Sequence, residues 1–275
     1  MMLWMLACAT EEAPAVYVDE TLLATEVGEY SAVKPEKAAL GPGVHGVVKL
    51  LVEHRLSGVH DEDEVSGSYV TKGTATLVVK NGQWLVVTAR HVVLPNASVD
   101  SLTLPTDDGE FDEVFFDEVT GLGATIAIGA LSVSPATLQL SPVADVAVMT
   151  VAPEDRAAVL GGLESIGSAR LGRKNLQGGD TGQAWGFPVG TWPKVADASV
   201  SSVREGFFVL NQALEPGYSG GPVLVDGILA GIVTRSDANA GQATALSWPA
   251  LPLEGGVDLE VPGTGEFQGL PITLD

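Results

Sequence analysis

From residue 44 onward the chain alternates short apolar, β-branched runs with clusters of Gly, Pro, Asn and Asp. Five such runs lie in the first half: Val44–Val52, Gly73–Val79, Trp84–Thr88, Thr125–Val133 and Val146–Val151. Six more follow: Gly182–Gly186, Ala198–Val203, Phe207–Leu210, Pro222–Val225, Ile228–Thr234 and Ala243–Ser247. Each has the length and residue types of a strand bounded by turn formers. Asn81-Gly82 between two of them predicts a tight hairpin, and Asp226-Gly227 predicts another. Only Pro153–Leu160 reads as helix, and it is placed as the bridge between two halves. No internal repeat and no long amphipathic helix is present. Many short strands at this spacing predict an all-β sandwich or barrels. Two barrels of about a hundred residues each would account for 44–250, with 44–152 in the first and 153–255 in the second.

The ends read differently. Residues 9–43 carry Glu11, Glu12, Asp19, Glu20, Glu26 and Glu29, with no basic residue before Lys34, and are expected to form an acidic tether. One edge strand is placed there, around Ala15–Val18. Residues 236–275 contain no Lys or Arg, and 256–275 read as a loop-like tail. Met1–Cys8 is an apolar run too short to span a bilayer. It resembles the end of a bacterial lipoprotein signal, with Cys8 as the lipidation site and the hydrophobic segment truncated. That resemblance implies a cell-envelope or secreted location.

Composition narrows the function. The 275 residues are 45% hydrophobic with a mean hydropathy of +0.25, enough to bury a core. With 14 basic and 35 acidic residues the net charge is −21, which excludes nucleic acid as a partner. It also excludes direct docking on anionic lipid, so membrane contact is confined to an anchor at Cys8. No acidic loop has EF-hand spacing. Cys8 is the single cysteine, so there is no intrachain disulfide and no cysteine-rich zinc site.

The candidate chemistry starts at Gly217-Tyr218-Ser219-Gly220-Gly221-Pro222. Glycines around a serine let backbone N–H groups converge on one point, as a developing oxyanion requires. The segment also fits the Gly-x-Ser-x-Gly nucleophile elbow of α/β-hydrolases. That fold needs a histidine after the serine, and His45, His54, His60 and His91 all precede it. The order His, Asp, Ser remains open. His91 ends the apolar run Trp84–Ala89, whereas His54 and His60 flank what reads as a charged loop. Among the intervening acids, Asp107, Asp108, Asp112 and Asp117 fall in an acidic stretch. Asp145 instead opens the apolar strand Val146–Val151, where a carboxylate needs a partner.

Together these segments resemble the trypsin-like serine peptidases. Thr88-Ala89-Arg90-His91, Asp145-Val146-Ala147-Val148 and Gly217–Pro222 look like the family's three blocks. Leu214–Val223 and Gly179–Gly190 are similar to the bacterial HtrA/Deg-like branch. The resemblance spans roughly 70–250 and implies two six-stranded antiparallel β-barrels of the chymotrypsin type. It implies a peptidase with Ser219 as nucleophile, His91 as base and Asp145 orienting the base. It further implies an oxyanion hole from the N–H groups of Gly217 and Ser219, and no metal or organic cofactor. Substrate, a protein or peptide, would lie along Val233, Thr234 and Arg235. The primary specificity pocket would be floored near Ala213 and Leu214, which offer no carboxylate; a small or medium apolar side chain is expected there. Tyr218 departs from digestive members, which carry Asp there for a salt bridge to a freed N-terminus. The roughly 25 residues after 250 leave no room for a PDZ domain. Two other readings stay open: an inactive module of the same fold that binds peptides or protein partners, and an esterase.

Overall fold

The structure, a computed structural model, describes residues 40–94, 101–105, 111–115, 118–129, 133–141, 144–172, 174–188, 192–248, 257–260 and 266–268. The lipidation site Cys8, the strand expected at Ala15–Val18 and nearly all of the acidic tether lie outside them.

The first half contains β1 (Gly43–His60), β2 (Asp63–Lys80), β3 (Gln83–Thr88), helix α1 (Arg90–Val93), β4 (Ser101–Pro105), β5 (Phe111–Phe115), β6 (Glu118–Ile128), β7 (Thr137–Leu140) and β8 (Ala147–Thr150). A 3₁₀ turn (Pro153–Asp155), helix α2 (Arg156–Gly161) and β9 (Leu163–Ala169) lead to the second half. There β10 (Thr181–Gly186), β11 (Lys194–Arg204), β12 (Phe207–Leu210), β13 (Pro222–Val225), β14 (Ile228–Asp237) and β15 (Gln242–Ser247) form a closed six-stranded barrel. The first half is a curled sheet in the order β7-β8-β3-β2-β1-β6, with β9 added on β1. The pairing is antiparallel throughout. The nearly all-β architecture agrees with the two-barrel chymotrypsin-like class.

Several boundaries differ from the sequence reading. β1 continues past Val52 to His60, and β2 begins at Asp63 rather than Gly73. The charged stretch between His54 and His60 is therefore not a loop. Asp61 and Glu62, both at positive φ, turn the chain in a two-residue hairpin. Asn81-Gly82 turns β2 into β3 as expected. The predicted strand Thr125–Val133 starts at Glu118 and ends at Ile128, with Val133 making only an isolated bridge back to it. The β4–β5 pair, β7 and β9 were not anticipated, and Asp112 of the acidic stretch lies on β5. In the expected tail, β16 (Val257–Glu260) pairs with β7 and β17 (Glu266–Gln268) with β6. These pairings cover both edges of the curled sheet, which would otherwise offer unpaired backbone groups.

Period-two alternation builds the cores. On β1, Leu50, Val52, His54 and Leu56 are buried in succession. One cluster fills the curled sheet around Leu77, Ile126 and Met149, and a second fills the barrel around Phe208, Leu210 and Val223. A third joins Val78, Val87 and Val148 of the first half to Leu224, Leu229 and Ile232 of the second. The two halves therefore share a dry seam.

His54 occupies an inward position of β1, opposite Tyr69 on β2, and stacks on its ring at 4.7 Å. Among the described residues neither ring nitrogen makes a hydrogen bond of ordinary geometry. Burial lowers its pKa to about 4, partly opposed by the backbone of Val92. The unfolded chain, with an ordinary histidine near 6.5, takes up this proton first. The contribution to stability is complete above pH 6.5 and declines as pH falls towards 4. At roughly 1.4 kcal/mol per pH unit, the loss is about 3 kcal/mol. Denaturant unfolding of wild type and His54→Phe at pH 7 and pH 4 should show the wild type losing that much more. Equal losses would contradict a buried neutral His54.

Candidate active site

The site is built where the end of β3 meets the loop before β13. β3 runs directly into α1, so His91 follows a fully buried strand end (Thr88, Ala89). Asp145 sits in a bend at Ala144–Asp145 before β8; the Ser141 N–H donates to the Val146 carbonyl (3.0 Å) and the Val146 N–H to the Ala144 carbonyl (2.8 Å). The Ser141 hydroxyl accepts from the Ala144 N–H (3.0 Å). Arg90 donates to the Ser141 carbonyl (2.8 Å) and clamps this segment against α1.

The structure brings His91 and Asp145 together twice over. The His91 backbone N–H donates to Asp145 Oδ1 (2.9 Å), and His91 Nδ1 lies 2.7 Å from Oδ2. Burial pushes the Asp145 carboxyl up. The His91 ring, its charge, the His91 backbone and the Arg90 charge outweigh this and hold it below its ordinary value. An ionised carboxylate only accepts, so Nδ1 carries the proton, and in the neutral ring Nε2 is the acceptor.

Ser219 is held by its backbone. Its carbonyl accepts from the Thr74 N–H of β2 (3.0 Å), and the Thr74 carbonyl accepts from the Thr88 hydroxyl (2.8 Å), three residues before His91. Thr76 donates to the Gly220 carbonyl (2.9 Å). From the barrel side, the Gly220 N–H donates to the Val233 carbonyl (2.8 Å) and the Val233 N–H to the Gly221 carbonyl (2.9 Å). Among the described residues, the N–H groups of Tyr218, Gly220 and Gly221 all have carbonyl acceptors, whereas those of Gly217 and Ser219 have none. No hydrogen bond among the described residues joins the Ser219 hydroxyl to the His91 ring; such bonds are often long before substrate binds.

Two glycines are required here. Gly217 (φ +101°) has the Phe187 carbonyl and Pro188 Cα where a Cβ would stand. Gly220 (φ +87°) has the Thr74 carbonyl and the Thr88 side chain there. Tyr218 does not cover the site. It is 4% exposed, belongs to the barrel core, and packs over Gly186 where any Cβ would collide with its ring.

The candidate substrate residues divide. Ala213 is half-buried, while Leu214 is buried and donates its N–H to the Ser236 hydroxyl (2.8 Å). Val233 is buried, and both its backbone groups serve the serine loop. Thr234, at a bulge in the β14–β15 register, and the exposed Arg235 carry the strand to the surface. Thr74, Thr76, Thr88 and Ser236 had no assigned function from the sequence. Their signal was slight: the threonines are hydroxyls at inward positions of apolar strands, and Ser236 is an exposed serine near the end of β14. Among the described residues no cluster of His, Cys, Asp and Glu is arranged to hold a metal.

A family model for the trypsin-like peptidase domain matches residues 73–232. No curated protein matches the chain. Similar solved structures include the Rv3671c protease in an inactive form, at 15% identity and a TM-score of 0.43 over 73% of this chain and 84% of that one. The serine endoprotease from Yersinia pestis is 16% identical, with a TM-score of 0.43 over 79% of this chain and 64% of that one. The HtrA-type protease AlgW with decapeptide is 21% identical, with a TM-score of 0.44 over 80% of this chain and 66% of that one. The chain thus spans just under two thirds of the last two.

The packing at Gly220 gives a direct test. Gly220→Ala should destabilise the fold by about 3 kcal/mol or more, through overlap with β2 and β3 added to backbone strain. Gly227→Ala, also at positive φ (+67°) but with open space around it, should cost only about 1 kcal/mol. Thermal denaturation of both variants reads the difference, and equal melting temperatures would contradict the close approach.

Proposed function

The chain belongs to the trypsin-like peptidase family, and we propose that it is a serine endopeptidase working through Ser219, His91 and Asp145. The observation that carries this reading is the two-point grip of Asp145 on His91, with Nε2 left as the free base. A merely structural Asp–His contact would not require the Gly217–Gly221 loop to be fastened to Thr74 and Thr76 of β2, beside the β3 end that leads to His91.

In this reading Ser219 Oγ attacks the peptide carbonyl carbon while His91 Nε2 takes its proton. The carbonyl electrons move onto oxygen, where the Gly217 and Ser219 N–H groups stabilise the charge. Collapse expels the amine, which takes the proton from His91, and leaves an acyl ester on Ser219. Water, deprotonated by His91, then releases the acid and restores the serine. Asp145 stays ionised and stabilises the imidazolium. The extended surface at Thr234 and Arg235 fits a peptide lying as a strand. The lining offers no carboxylate at Ala213 and Leu214, which supports a small or medium apolar residue before the cleaved bond. An envelope location rests on Cys8 alone.

The inactive, peptide-binding module is kept as a second reading because no hydrogen bond joins the Ser219 hydroxyl to His91. Turnover of a peptide and of an activated ester separates the readings. Ser219→Ala should lose on the order of 10⁶ in kcat with the fold intact. Asp145→Asn should lose roughly 10⁴, since an amide donates where the imidazole needs an acceptor. Wild type that cleaves neither substrate, or a Ser219→Ala variant that cleaves as fast, would overturn the proposal. Ester cleavage with no peptide cleavage would favour an esterase.

A further inference from the structure

Thr74 lies at an inward position of β2 and is fully buried. Its methyl-bearing side chain would serve a β-strand as well if it were valine. The hydroxyl nevertheless both donates and accepts. Oγ1 lies 2.6 Å from the Gly217 carbonyl and 2.8 Å from the Phe187 N–H. The amide can only donate, so the single hydroxyl proton must go to Gly217. Thr74 thus uses all of its polar groups at one place. Its N–H holds the Ser219 carbonyl, its carbonyl receives the Thr88 hydroxyl, and its side chain ties Gly217 to Phe187.

The consequence follows from peptide planarity. The Gly217 carbonyl fixes the Gly217–Tyr218 plane, and the Ser219 carbonyl fixes the Ser219–Gly220 plane. The Gly221 N–H on the Tyr218 carbonyl (2.9 Å) fixes the plane between them. In that plane the Ser219 N–H must point opposite to the Tyr218 carbonyl. The Gly217 N–H lies in the preceding plane, joined to the held carbonyl through the φ (+101°) and ψ of a residue with no side chain to resist rotation, so the held carbonyl anchors one side of that hinge.

We propose that Thr74 is a positioning residue whose hydroxyl, by holding the Gly217 carbonyl, keeps the Gly217 N–H aimed at the reacting oxygen, beside the Ser219 N–H that the Gly221–Tyr218 bond sets. This rests on the reading of Ser219 as nucleophile. Thr74 touches no substrate and acts only through the loop. It also places half of the oxyanion geometry under control of the other sheet, so the site is complete only when the two halves are docked.

The test compares Thr74→Val, Thr74→Ala and Thr74→Ser with wild type. Losing one oxyanion donor costs roughly 10²–10³ in rate, so misaiming the Gly217 donor should lower kcat by about 10–100-fold. KM should change less than about three-fold, because ground-state peptide contacts are untouched. Thr74→Ser, which keeps the hydroxyl, should stay within about three-fold of wild type. Hydrogen exchange of the Gly217–Gly221 amides, measured in the same proteins, does not depend on turnover. It should quicken at least about ten-fold in the valine and alanine variants and not in the serine variant. An inactive wild type would count against Ser219 chemistry, while the exchange pattern alone would still decide for or against Thr74. Thr74→Ser behaving like Thr74→Val, or a loss confined to KM, would overturn the proposal. So would an exchange pattern that does not change. Failure of both the valine and alanine variants to fold while Thr74→Ser folds would assign the hydroxyl to stability alone and equally overturn it.

Discussion

The hydrogen bonding of one buried threonine makes the two halves of this molecule a single site. The His91–Asp145 pair belongs to the first sheet and Ser219 to the second barrel. Thr74 is bonded to both, through Thr88 on the His91 side and through Gly217 and Ser219 on the other. Hydrogen bonds of this kind are modest in net energy but costly to leave half made in a dry interior. Thr74, Thr76 and Thr88 are all fully buried; the Thr88 hydroxyl is satisfied by Thr74, and the hydroxyls of Thr74 and Thr76 find their partners in the opposing half. The register between halves is therefore specified by direction as well as by apolar area.

Apolar packing supplies the complementary part. The seam cluster of Val78, Val87 and Val148 against Leu224, Leu229 and Ile232 lies beside this polar joint. Packing of this sort is non-directional and would tolerate some slippage. The threonine bonds and the closely approached glycines, Gly217 and Gly220, do not. Tyr218 adds a third anchor from below, its ring set into the barrel core over Gly186. Relatives with an aspartate before the serine use a charge at that position; here burial of an aromatic ring holds the loop.

The strands were legible because residue type and turn chemistry agree locally. Asn81-Gly82 and the Phe207–Leu210 run are cases where propensity and tertiary demand coincide. The Asp61–Glu62 turn was not legible. It lacks the glycine or asparagine that normally marks positive φ, and its flanks alternate polar residues because the hairpin is exposed on both faces near its tip. β16 and β17 were missed for a related reason. Their residues have little strand character of their own, and it is the open edges of β7 and β6 that recruit them. At the site, His91, Asp145 and Ser219 stood out because each breaks an otherwise apolar or glycine-rich pattern. Thr74 and Thr76 did not, since threonine is an ordinary strand former and only the fold reveals what its hydroxyl meets. Val233 shows the converse: the strand was correctly seen, but its backbone supports the serine loop.

The central claim is that Ser219 is an activated nucleophile assembled from both halves. Fluorophosphonate labelling of the native protein, followed by peptide mapping of the adduct, tests it most directly. The account predicts a single phosphonyl adduct on Ser219, formed by wild type and absent from Ser219→Ala. A folded wild type that takes no label, or one labelled at a different residue, would contradict it.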